Sequence, residues 1–138
     1  MKPEKHWYVE LSLRESRAIA VAKPAPVHRE FLGELLRSVI TCDLLEVTQW
    51  RMSNHEYGDL WLDEEGKLTE REIHGTVTES IISNCPVDVL RGPLVFTGST
   101  DAEGRNDYLD KTTAEALADS LNQARPIQVM DGFYFLPA

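Results

Sequence analysis

The stretch "HWYVELSLRESRAIAVAK", residues 6–23, constrains the fold most. Trp7, Val9, Leu11 and Leu13 fall on one side of a period-two pattern, and Tyr8, Glu10 and Ser12 fall on the other. A half-buried strand requires this alternation, because successive side chains leave its two faces in turn. "RES" resembles a tight turn, and "AIAVAK" (18–23) is a second apolar run, so the spacing predicts a hairpin. "PAP" at 24–26 ends it, since proline has no N–H to give a ladder. Strands joined this closely are antiparallel; a parallel pair needs a long crossover.

The clearest helix is "HREFLGELLRSVI" (28–40), where Phe31, Leu32, Leu35, Leu36, Val39 and Ile40 recur at three- and four-residue steps. A second is predicted in "LDKTTAEALADSLNQA". There Thr112 and Glu115 have capping-box spacing, and Ala114, Leu117, Ala118 and Leu121 make an apolar face. "LLEVTQWRM" (44–52), "GDLWLD" (58–63) and residues 94–98 read as strands, with a turn at "DEEGK". In "IQVMDGFYFLP" an Asp-Gly pair lies between two apolar runs, a strong hairpin signal. Residues 69–91 are ambiguous: Ile73, Val77 and Ile81 alternate, "TESIISN" also fits helical turns, and Pro86 marks a boundary. Hairpins outnumber crossovers, which predicts an α+β fold, a mostly antiparallel sheet packed by two main helices. At 138 residues the chain fits a single domain, residues 1–138.

Charge bears on partners. The net charge is −9, and residues 1–40 hold seven Lys/Arg against five Asp/Glu, while the remainder holds seven against eighteen. An acidic body repels nucleic-acid phosphate and can attract a basic protein surface. No nucleic-acid partner is expected. No apolar run approaches the ~20 residues of a membrane span, and "MKPEKHWYVELSL" lacks the apolar segment of a secretion signal. The expectation is therefore a cytoplasmic protein with no membrane partner. Cys42 and Cys85 read as two reduced thiols, although sequence does not measure their separation and leaves a disulfide open.

Chemistry is sparse. His6, His28, His55 and His74 form no HxxxH or HExxH pair, so no metal site is expected. There is no Gly-x-Ser-x-Gly elbow, and Cys42 precedes Asp43, which raises a thiol pKa instead of lowering it. Neither an enzyme nor a cofactor is predicted. "GPLVFTGSTDAEGR" (92–105) is a strand running into a polar loop, but it lacks the Lys-Ser/Thr of a phosphate loop. Its candidate ligand residues are Gly98, Ser99, Thr100, Asp101 and Gly104, whose backbone amides could hold an anionic metabolite or nucleotide. "LDEEGKL" (62–68) and "TDAEGRN" (100–106) share Asp-x-Glu-Gly-Lys/Arg. That pattern reads as turn chemistry used twice: glycine supplies a positive φ, and Asp bonds the backbone two residues on.

Aromatic residues supply the candidate partner contacts. Trp50, Arg51 and Tyr57 are of the types that dominate protein interfaces, although Trp50 and Trp61 also suit a core. Phe133, Tyr134 and Phe135 are consecutive, so as a strand they need cover on both faces, from this domain or from another chain.

The helix followed by "CDLLEV", then "GDLWLDEEGKL", then "GPLVFTGSTDAEG" with a helix carrying Leu109 and Leu117, together resemble a family of small uncharacterised proteins. It is a domain of unknown function found in phages, plasmids and actinobacteria. The likeness covers roughly residues 28 to 121, and the chain departs from it at "TEREIHGTV" (69–77). The resemblance implies a mobile-element setting and no particular reaction. Three functions follow as expectations: an accessory protein that binds a protein partner or forms a homo-oligomer, a binder of small anions at residues 98–104, or an acidic inhibitor mimicking nucleic-acid phosphate.

Overall fold

A computed structural model describes residues 6–25, 32–51, 57–66, 68–78, 86–100, 102–103, 106–123, 127–128 and 134–137. Its elements in chain order are β1 Trp7–Arg14, β2 Arg17–Pro24, α1 Leu32–Ile40, β3 Leu45–Arg51, β4 Tyr57–Asp63 and β5 Ile73–Thr78. They continue with β6 Pro86–Arg91, β7 Leu94–Gly98, α2 Lys111–Asn122, β8 Ile127–Gln128 and β9 Tyr134–Pro137. The fold is α+β, with a five-stranded sheet ordered β2-β1-β7-β4-β3 and a four-stranded sheet ordered β6-β5-β9-β8. Every pairing among these strands is antiparallel.

The alternation in β1 does what period two predicts. Val9 and Leu11 join one buried cluster with Leu60, Leu62, Leu94 and Phe96 of the neighbouring strands, and against it lie α2 and the second sheet. Tyr8 faces the other way, with Val95 and Trp61, toward α1. The large sheet is thus covered by α1 on one face and by α2 with the small sheet on the other. In β2 the residues turned toward α2 are Ala18, Ala20 and Ala22, and α2 answers with Ala114 and Ala118. Small side chains on both sides let the helix lie close to the strand.

Three local readings change. The N-cap of α2 is Asp110, whose side chain accepts from Thr113 N at 2.7 Å, not the capping box of Thr112 and Glu115. Asp110 starts the helix because a carboxylate suits the positive end of the helix dipole. Residues 69–91 resolve in part into the β5–β6 hairpin, with β6 starting at Pro86, and "TESIISN" lies largely outside the described residues. In the last hairpin Gln128 pairs with Tyr134, whereas a two-residue turn at Asp131-Gly132 would pair it with Phe135. No helix among the described residues is long and apolar enough to cross a membrane.

Candidate functional site

The predicted ligand loop leaves β7 at Gly98. A Cβ there would sit 1.5 Å from the Asp107 carbonyl oxygen, so only glycine lets the returning chain pass. The loop closes on itself: Thr100 bridges Asn106, and Asp107 N donates to Ser99 O at 2.7 Å. Asn106 fixes the base of the loop. Its Nδ2 lies 2.8 Å from Gly98 O, 3.0 Å from Thr97 Oγ1 and 3.2 Å from Asp59 Oδ2. Thr100 Oγ1 donates to the same Asp59 oxygen, and Trp61 Nε1 donates to Thr97 Oγ1 at 2.9 Å. Asp59 is buried, and burial pushes its carboxyl above the ordinary range against the opposing pull of Thr100 and Asn106. An anion in this loop would meet a buried acid and carbonyls already taken up internally, which favours the corner reading of Gly98, Ser99 and Thr100. Asp101 and Gly104 lie outside the described residues.

The first Asp-x-Glu-Gly corner is built differently from its sequence twin. Asp63 Oδ1 accepts from Glu65 N at 2.9 Å, two residues on, as the pattern predicts. Gly66, however, is not in the left-handed region; it is glycine because a Cβ would lie 2.6 Å from Arg91 O. Arg71 ties this corner to α1. It pairs with Asp63 Oδ2 at 3.0 Å and donates to Ile40 O at 2.8 Å and Thr41 Oγ1 at 3.0 Å. Thr41 takes the left-handed seat (φ 57) that glycine usually fills after a helix, while Cys42 N closes onto Arg37 O at 3.3 Å. The guanidinium beneath holds that turn. Burial, then Asp63, pushes the Cys42 thiol up, away from a reactive thiolate.

Beside Arg71 an open cleft of about 310 Å³ is lined by Ser12, Leu13, Arg71, Glu72, His74 and Pro93. His74 Nδ1 sits 2.9 Å from Glu72 O, and burial lowers its pKa, so the ring is neutral at pH 7. Nothing local in the sequence announced His74 or Arg71, because their partners are remote or backbone. Among the described residues no group of three or more His, Cys, Asp or Glu side chains is placed to hold a metal ion.

The aromatic candidates divide. Phe135 is fully buried and meets Phe96 edge-on, with ring centroids 5.9 Å apart, so it belongs to the core and not to a partner surface. The side chains of Tyr134, Trp50, Arg51 and Tyr57, which lie in β9, β3 and β4, and the whole of Phe133 lie outside the described residues. Exposed apolar area lies elsewhere. Leu44 is 49% exposed, Val47 48% and Leu68 82%. Val47 sits across from Trp61 on β3, and Leu44 O accepts from Glu64 N at 3.0 Å. Leu68 is in the turn that follows β4. Asp43, Glu46, Glu64 and Glu65 are exposed as well, and none of the four forms an ion pair among the described residues. Comparison of the chain with protein-family models, curated proteins and solved structures finds no match.

Proposed function

We propose that this chain is a non-enzymatic accessory protein that acts by binding a protein partner. The observation that carries the reading is that β3 and its approach expose Leu44 and Val47 together with Asp43 and Glu46, acids with no ion pair among the described residues. Exposed aliphatic and acidic side chains interspersed along one strand and its approach supply two parts of a recognition surface, apolar area that gains from burial and charge that selects the partner. The acidic composition supports the same reading, because it leaves a basic protein surface as the favoured complement. The mobile-element setting implied by the resemblance fits an accessory role of this kind.

The test pairs the wild type with a Leu44→Ser/Leu68→Ser variant, both immobilised and exposed to lysate of the native host. Both residues are exposed, so the variant should keep its melting temperature. The wild type should retain a specific protein that the variant loses. Equal retention by both, or retention by neither, would remove the reading.

A further inference from the structure

Resting on that reading, we infer that the partner joins the large sheet as an extra strand, an extended basic segment pairing with the side of β3 to which no described strand pairs. The direction of the backbone groups supplies the first argument. Glu64 N donates to Leu44 O, and the β3–β4 register continues through Leu45↔Asp63 and Glu46↔Leu62. Narrow and wide pairs alternate along an antiparallel ladder, so Leu44, Glu46 and Thr48 turn their N–H and C=O toward β4. Leu45 and Val47 therefore turn theirs to the side where no described strand hydrogen-bonds to β3, although the two residues of β8 pack near this strand.

The other edges supply the second argument. β2 is covered at Ala20, whose N–H and C=O are both taken by the Asn122 side chain at 2.8 Å. β6 begins with Pro86 and borders a strand pairing broken by two register shifts, and β8 has only two residues. β3 has seven residues, no proline and an unbroken register. Folds that leave an edge long and regular expose a template for strand addition.

Charge names the occupant. Asp43 directly precedes β3, Glu46 lies within it and Glu64 bonds to Leu44 at its start, and among the described cations Arg71 is committed to Asp63 and the end of α1. A second copy of β3 would bring the same carboxylates face to face. A strand alternating Lys or Arg with aliphatic residues would neutralise them and lay its apolar face against Val47 and Trp61.

The probe is a synthetic peptide of about nine residues alternating lysine and valine, a usual strand length. Its control has the same charge and a central proline. Binding is followed by calorimetry and by amide NMR of the full chain. The Lys-Val peptide should bind, move the Leu45 and Val47 amides, and weaken with salt. Val47→Pro should weaken it at least about tenfold, about 1.4 kcal/mol, while leaving the fold intact, because that N–H serves no ladder. The idea fails if nothing binds, or if the proline peptide or the Val47→Pro protein binds equally well. It also fails if light scattering finds a wild-type dimer that Val47→Pro dissolves, since the occupant is then a second copy. Host-protein capture that survives Val47→Pro but not Leu44→Ser/Leu68→Ser would overturn strand addition and leave the proposed function standing.

Discussion

The two outer strands of the large sheet present the same backbone chemistry and treat it oppositely. At β2, Ala20 turns its N–H and C=O outward and Asn122 satisfies both at 2.8 Å, one side-chain amide bonding both backbone groups of one residue across 102 residues of chain. At β3, Val47 turns the equivalent groups outward beside a half-exposed side chain, next in sequence to Glu46, which has no ion pair among the described residues. Covering an edge needs a second element near enough to reach it. α2 reaches β2 because alanines face alanines there, whereas α1 packs on the sheet face through Leu36 and Ile40 and leaves β3 at the rim. What differs is access, and access is what a binding protein would keep.

The harshest way to break the comparison is a proline scan across β3. Thr48→Pro should cost about 3 kcal/mol, because it deletes an N–H aimed at β4 and strands a buried carbonyl. Val47→Pro, one residue away, should cost under about 1 kcal/mol, since only solvent loses a donor. Urea unfolding of the two variants reads the difference directly. Similar losses for both would mean that the outward direction assigned to Val47 is wrong, and the open edge with it.

Next in size is the covered edge. Asn122→Ala removes two hydrogen bonds and leaves the Ala20 peptide unit partly buried and unsatisfied, which should cost about 1–3 kcal/mol. It should also open the edge of β2, which, unlike β3, carries no carboxylate to repel a second copy, so light scattering ought to detect new self-association at high concentration. An unchanged unfolding midpoint would show that α2 protects β2 by burial alone and that the amide is incidental.

The same contrast separates what the chain reveals from what it hides. The β1–β2 hairpin, β7 and the apolar face of α2 were legible, because each is a local pattern of period two or three-to-four that burial simply ratifies. The turn residues Glu15 and Ser16, at φ 51 and 65, show the limit: nothing about "RES" foretells two side chains in a conformation that favours glycine. Asn122, Asn106 and Arg71 were not legible as ties, since each acts on residues brought near only by the sheet. The candidate site suffered most. Trp, Tyr and Phe drew attention as interface types, yet the described aromatic of that group, Phe135, fills the core. The exposed edge is marked instead by ordinary leucine, valine and glutamate, whose role depends on which way a peptide unit points.

The smallest effect tests the interior behind each edge, at Glu10 on one side and Asp59 on the other. Glu10, beside β2, has Lys23 for a partner. Asp59, beside β3, has only the neutral donors of Thr100 and Asn106. Burial raises the folded pKa of Asp59 above its ordinary 3.8, so the folded state holds that proton more tightly than the unfolded chain does. Its favourable contribution is complete below 3.8 and is lost as pH rises through the folded value, leaving an ionisation penalty at neutral pH. Asp59→Asn keeps an oxygen to accept from Thr100 and Asn106 and cannot ionise. The variant should therefore be more stable than wild type at neutral pH, with the gain shrinking as the medium is acidified toward 3.8. A variant less stable than wild type at neutral pH would mean that the charge itself holds loop 99–107, through stronger bonds from Thr100 and Asn106, and that this side of the sheet keeps its carboxylate for cohesion.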